Sequence, residues 1–273
     1  MTVVSTAGRK TAIARALAPL PLGHIARLLE QRRRLVVVVN LHSVPARHAG
    51  DFRELLRRLS DRFTIGDPAR LEEVVRTGAE RPTLFFTFDD GLANHAEVAA
   101  PLLEERDARA IFCLPVDFLD EAADEQVSWF RRHVYPVATE LHGDDDIRAM
   151  SWDQAQRLAN AGHRIASHGS AHVELRAGVL DETLQREIVR SRAVLESRVR
   201  GAEIDGFCWP VRMHGNARRA KRTVRDTYAY SLGGASRRRS STHDLHPVGR
   251  VNVEVSWPWP VVELQLARAA FGR

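Results

Sequence analysis

The sequence predicts a single α/β domain, a parallel barrel of strands wrapped by helices, and three observations carry this. Runs of apolar, β-branched and aromatic residues recur at 35–39, 83–88 and 110–114, and each reads as a strand buried on both faces. Amphipathic helical segments separate them, so strand and helix alternate as a parallel fold requires. The chain has 273 residues, which suits one barrel of about 200–250 residues preceded by an arm.

Taken in order, residues 1–34 read as a helical arm interrupted by Arg15 and Arg27 and broken by Pro19 and Pro21, and residues 35–273 as the barrel. No apolar run reaches the roughly 18 residues of a membrane span, and no persuasive cleavage site follows the arm. A cytoplasmic protein is therefore expected, with the arm lying on the inner membrane face or packed across one end of the barrel. The strand from Leu35 ends at Asn40-Leu41-His42. Asp51 then caps a helix whose apolar positions are 52, 55, 56 and 59. Thr83 to Phe88 is the next strand, and it runs into Asp89-Asp90-Gly91. A helix near 96–105 must accommodate Pro101 as a kink or a new start. After the strand 110–114, residues 118–149 break the alternation with Trp129, Phe130, Tyr135 and the run Asp144-Asp145-Asp146. They read as an excursion over the barrel mouth, with the triple Asp as a solvated loop.

A capping box, Ser151-x-x-Gln154, opens a helix that stops at Gly162. The strand His163 to Ala166 leads to His168 and His172. A long helix follows from Asp181 to about Val199, with apolar positions 184, 188, 195 and 199. The remaining strands are Phe207 to Val211, the stretch after Tyr228, and Val251 to Val255 behind Arg250.

Two adjacent carboxylates at a strand end are costly unless a cation or a proton-transfer task holds them there. Two histidines at i and i+4 share a face if they form one helical turn, so one divalent ion can take a nitrogen from each. A two-His-one-carboxylate site leaves positions open for water and substrate, as a hydrolytic metal needs.

With Thr87-Phe-Asp-Asp-Gly91 and His168-x-x-x-His172 in this order, the sequence resembles the polysaccharide deacetylases, carbohydrate esterase family four, also called the NodB-homology domain. The resemblance runs from about Leu35 to Val255. It extends to a circularly permuted branch whose first strand ends in Tyr-His-x-Val, here Leu41-His42-Ser43-Val44. It implies a deformed (β/α)7 barrel. Asp90, His168 and His172 would hold one divalent ion, zinc first among zinc, cobalt, nickel and iron. Asp89 would be the general base and His42 the general acid, with His246 as a second candidate. The backbone N–H of Val211 would face the oxyanion. Arg250 either pairs with Asp89 or is an ordinary strand-edge arginine. Three positions depart from the family pattern: Leu41 for Tyr, Gly169 for a hydroxyl residue, and Val211 for an aromatic. Trp209 stacks on a sugar or belongs to the core.

The two cysteines, Cys113 and Cys208, read as buried thiols without a disulfide framework. Formal net charge is +5, with basic clusters at Arg32–Arg34, Arg218–Arg222 and Arg237–Arg239. They are solvated faces, or they attract phosphate on a sugar precursor or an anionic membrane. Nucleic acid is not expected, because no basic run is interleaved with aromatics. The expected reaction is removal of an N-acetyl group from an amino sugar in a glycan or a phosphate-linked precursor. The alternatives are a non-polymeric amide or formamide substrate, or an inactive carbohydrate-binding descendant.

Overall fold

Period-two alternation decides which residues face the barrel axis. In the computed structural model, β1 (Val36–Leu41) sends Val37, Val39 and Leu41 outward to the helices and Val38 inward. β3 (Thr83–Phe88) does the same, with Leu84, Phe86 and Phe88 outward and Phe85 inward. The structure describes residues 35–134, 143–211, 216–235 and 244–271. The predicted arm, Tyr135 and the cluster Arg237–Arg239 lie outside them.

The strands are all parallel. β4 (Ala110–Leu114), β5 (Arg164–Ser167), β6 (Gly206–Cys208), β7 (Tyr230–Ala235) and β8 (Val248–Asn252) follow β3 around a ring. β1 pairs with both β8 and β3 and closes it, so seven strands form the barrel and the predicted fold class holds. A short β2 (Thr64–Ile65) adds to the start of β3, ahead of the stretch that pairs with β4. Val38, Phe85, Ile111, Cys113, Ala166, Cys208, Tyr230 and Leu232 fill the axis. The larger apolar layer lies between the strands and the surrounding helices.

Helix α1 (Ala49–Ser60) buries Phe52, Leu55, Leu56 and Leu59 as the spacing requires. Its start differs from expectation. Asp51 lies inside the first turn, and its carboxylate accepts from His48 Nδ1 at 2.7 Å. After α2 (Leu71–Thr77), Pro101 falls at the start of α3 (Ala100–Glu104), directly after a π turn, His95–Ala99. The wider turn admits a residue without an N–H. Ser151 and Gln154 form the reciprocal cap of α6 (Trp152–Asn160). Arg250, expected to open its strand, lies inside β8.

The excursion contains α4 (Val116–Leu119) and α5 (Gln126–His133) around a small core of Phe118, Trp129, Phe130 and Ile147. It returns to the loop after β3, where Ala93 N–H donates to Arg148 O and Met150 N–H to Gly91 O, both at 2.8 Å. Asp146 pairs with Arg47, and Asp144 pairs with Arg131. Further on, α7 runs through Asp181–Leu184, a π turn Gln185–Arg190 and Ser191–Arg198. α8 (Arg218–Thr227) buries Ala220 and Val224 and turns its arginines outward, and α9 (Trp259–Phe271) ends the described chain. Among the described residues no helix is long and apolar enough to cross a membrane.

Phe112 is fully buried and stacks on Phe88 at 5.1 Å, with His163 edge-on to it at 5.2 Å. Phe112→Ala is expected to cost about 3–5 kcal/mol in urea unfolding, the range for emptying a buried aromatic site.

Candidate active site and metal centre

Strand register assembles the site. Leu41 is paired with Phe88, so the next residues, His42 and Asp89, meet at the carboxyl end of the barrel. Asp89 N–H continues that ladder by donating to Leu41 O at 3.0 Å. Asn40 is paired with Asn252, and Val253 N–H donates to Asn40 O, which brings Glu254 level with His42. Ser167 pairs with both Leu114 and Phe207, which delivers His168 to the same rim.

Asp90, His168 and His172 converge. Each histidine Nε2 lies 3.5 Å from Asp90 Oδ1, and the rings are 4.9 Å apart at 70°. His168 Nδ1–H donates to Cys208 O at 3.0 Å and His172 Nδ1–H donates to His133 O at 3.1 Å. A carbonyl only accepts, so each ring carries a proton on Nδ1 and turns Nε2, the atom that a cation would take, toward Asp90. Asp90 Oδ2 is buried without a hydrogen-bond partner. Burial opposes a charge on His168, yet Asp89 and Asp90 overcome this and raise its pKa well above the ordinary value. Burial and the neighbouring His168 take His172 down to about 4. The cluster therefore calls for a positive charge, and these three residues fit a divalent cation.

The expected helical turn between the histidines is absent. Residues 168–173 form a loop, with Gly169 at φ +81° and His172 at φ +55°. Asp90 (φ +74°) and Val211 (φ +61°) also occupy the left-handed region. Among the described residues only Asp107 joins Asp90, His172 and Val211 as a non-glycine residue there. Each such conformation costs on the order of 1–3 kcal/mol and persists where the surroundings enforce it.

Asp89 and Arg250 form a buried, two-pronged ion pair, with Nη1 donating to Oδ1 at 2.7 Å and Nη2 to Oδ2 at 2.9 Å. Arg250 also donates to Gly233 O, Asn40 Oδ1 and Thr87 Oγ1. Burial alone would raise the Asp89 pKa, but Arg250 and the nearby histidines hold the carboxyl far below its usual range. Of the two readings of Arg250, pairing with Asp89 is the one the geometry gives. Asp89 also lies beside Cys113 and Cys208, close enough to form a second cluster of ligand atoms, and the Cys208 thiol donates to Oδ1 at 3.4 Å. Arg250 already occupies both Asp89 oxygens, so this second group is a poor cation site.

His42 Nδ1–H donates to Glu254 Oε1 at 3.1 Å, and its Nε2 lies 3.4 Å from Asn40 Nδ2. His95 Nε2–H donates to His42 O at 2.9 Å, while Asn94 accepts from Val44 N–H and donates to Ser43, fixing the turn. His246 lies just before β8, at the amino end of the barrel and away from this rim. Val211 follows Pro210, which packs beside Gly169. Trp209 is buried in the core against Phe207.

Sequence reasoning missed Glu254, Asn40 and Glu187. Glu254 left a signal: Arg250, Asn252 and Glu254 alternate with Val251, Val253 and Val255, so one strand face is polar. Burial lowers the His42 pKa, but the Glu254 hydrogen bond and charge outweigh it and raise the value from 6.5 to about 9. The protonated ring therefore stabilises the fold fully below 6.5, and this is lost as pH rises through about 9. In metal-free protein, Glu254→Gln is expected to lower the His42 pKa by about one unit or more, read by imidazole NMR titration. An unmoved value contradicts the pairing.

The polysaccharide deacetylase family profile matches residues 76–228. No curated protein matches the chain significantly. Among solved structures, the Streptococcus pyogenes deacetylase PplD in complex with acetate superposes with a TM-score of 0.63 at 14% identity, covering 86% of this chain and 98% of that one. IcaB from Ammonifex degensii gives 0.62 at 16%, covering 87% and 98%. A de-N-acetylase from Aggregatibacter actinomycetemcomitans gives 0.62 at 15%, covering 86% and 100%. Identities this low establish the shared fold. The profile spans more than half of the chain and includes Asp89, Asp90, His168 and His172, and on that basis the protein belongs to the polysaccharide deacetylase family.

Proposed function

We propose that the protein is a metal-dependent deacetylase that hydrolyses the N-acetyl group of an amino sugar in a glycan or a phosphate-linked glycan precursor. The observation that carries this is the convergence of Asp90, His168 and His172 on one point, with an unpartnered Asp90 oxygen. Asp89 and His42 flank that point. When bound there, a divalent ion, zinc first, would act as a Lewis acid on the acyl oxygen and lower the pKa of water.

The protein's own groups supply the remaining steps. Asp89 stays ionised because Arg250 neutralises it, and it takes a proton from the attacking water at Oδ2. Arg250 makes Asp89 a weak base, suited to a water whose pKa a bound ion would lower. The Val211 N–H is assigned to the developing oxyanion, a role that asks nothing of the side chain. As the C–N bond breaks, His42 gives its Nε2 proton to the leaving amine, and Glu254 holds the ring by Nδ1. Acetate and the free amine result. His42 at the end of the first strand supports placement in the permuted branch.

The basic clusters support a phosphate-linked substrate, and a cytoplasmic site beside an anionic membrane face is part of the same proposal. A second reading, a non-polymeric amide or formamide, is favoured by one feature: Trp209 lies in the core and Val211 carries no ring, so the groove lacks that aromatic wall.

Acetate release should be measured on N-acetylated oligosaccharides, phosphate-linked amino sugars and small amides. Activity is expected to vanish on chelation, return with zinc, and fall by about 100-fold or more in Asp89→Asn. A zinc-loaded enzyme unaffected by Asp89→Asn contradicts the mechanism. Exclusive turnover of small amides selects the second reading.

A further inference from the structure

We propose that Glu187 is a positioning residue for the metal-ligating histidines, its buried carboxylate serving as the support on which their loop is built. This rests on the metal-binding reading of Asp90, His168 and His172.

Between His168 and His172 the chain is neither helix nor strand, so its backbone N–H groups need partners from elsewhere. Glu187 supplies them. Oε2 accepts from Ser170 N–H at 3.0 Å, Ala171 N–H at 3.1 Å and Val173 N–H at 3.4 Å, and Oε1 accepts from Ala171 N–H at 3.1 Å. The side chain is 0% exposed. A buried carboxylate costs several kcal/mol unless hydrogen bonds satisfy it, so this arrangement holds only while loop and carboxylate stay together. It encloses the loop from behind while the two imidazoles face Asp90. It also opposes the strain of His172, whose left-handed conformation would otherwise relax.

Gly169 is explained by the same contact. A Cβ built there would lie 2.6 Å from Glu187 Oε2, and the residue has φ +81°. The carboxylate occupies the space that a side chain at 169 would need. The departure of Gly169 from the hydroxyl residue of the family pattern is therefore matched to Glu187.

The support is itself anchored. Glu187 sits in the π turn Gln185–Arg190, where three successive carbonyls accept from side chains. Arg186 O accepts from Ser170 Oγ at 2.9 Å, Glu187 O from Ser191 Oγ at 2.7 Å, and Ile188 O from the Tyr228 hydroxyl at 2.7 Å. Ser191 and Ser167 share a hydroxyl contact at 2.8 Å, and Ser167 Oγ accepts from Gly169 N–H at 3.2 Å. α7, β5 and the histidine loop are thus one hydrogen-bonded unit.

The experiment combines cobalt titration, followed by the visible spectrum, with amide hydrogen exchange on metal-free protein. Wild type, Glu187→Gln, Glu187→Ala, Gly169→Ala and the double variant Gly169→Ala/Glu187→Ala are compared, with far-UV circular dichroism reporting folding. In metal-free wild type the amides of Ser170, Ala171 and Val173 are expected to exchange at least 100-fold slower than an unstructured chain. In Glu187→Ala that protection is lost and cobalt affinity falls about 10- to 100-fold, the usual cost of losing an outer partner of a ligand. Glu187→Gln, which keeps one acceptor oxygen, recovers part of both. Adding Gly169→Ala to Glu187→Ala lowers affinity less than adding it to wild type, because the clashing oxygen is gone. Wild-type amides exchanging at the unstructured rate overturn the proposal even if no variant folds. A folded Glu187→Ala with wild-type cobalt affinity and spectrum overturns it too. A wild type that binds no cobalt refutes the metal-binding reading instead.

Discussion

Two neighbouring carboxylates buried at the end of one strand set the terms for the rest of this structure. Asp89 and Asp90 are 4% and 1% exposed, and neither can be ionised there without a counter-charge. The fold answers each differently. Asp89 receives a permanent guanidinium from Arg250, two strands away around the ring through β1. Asp90 receives two imidazoles whose outer nitrogens are tied to carbonyls, leaving an electron-rich pocket. Burial opposes both charges, yet Arg250 holds Asp89 ionised and the His168 hydrogen bond and neighbouring histidines take Asp90 down to about 2, with one Asp90 oxygen left without a partner. Removing one partner from such a buried pair typically costs about 3–5 kcal/mol, more than most single contacts contribute, so this rim dominates its surroundings.

The barrel's closure is what makes the pairing possible. β1 lies between β8 and β3, so Asn40 touches Arg250 and Thr87, and His42 reaches Glu254 from one side and Asp89's rim from the other. A one-residue slip of β1 would send His42 to the helix layer and an apolar neighbour to the site. The outward Val37, Val39 and Leu41, all buried against the helices, fix that register.

Much of this was legible in the sequence. The alternation of apolar strands and amphipathic helices gave the barrel, because strands buried on both faces leave an unmistakable run. Asp89, Asp90, His168 and His172 were legible because carboxylates and histidines at strand ends are costly without a task. The conformation between the histidines was not, since i,i+4 spacing suits a helix and only Gly169 hinted otherwise. Glu187 was hidden for a related reason: on α7 it reads as one more charged residue of a solvated helix face. The start of α1 was misplaced by three residues, with Asp51 read as the cap where His48 holds that position, because Asp51 suits either a cap or a first turn.

The left-handed conformations at Asp90, His172 and Val211 tie the account together. Such strain is retained where surrounding contacts over-determine the backbone, and here the three residues follow three separate strands, β3, β5 and β6, at one rim. The most direct test is metal content by elemental analysis of wild type, Asp90→Ala and His168→Ala/His172→Ala. The account predicts about one divalent ion per wild-type chain and none in the variants. A wild type that stays metal-free after reconstitution with zinc or cobalt would contradict it.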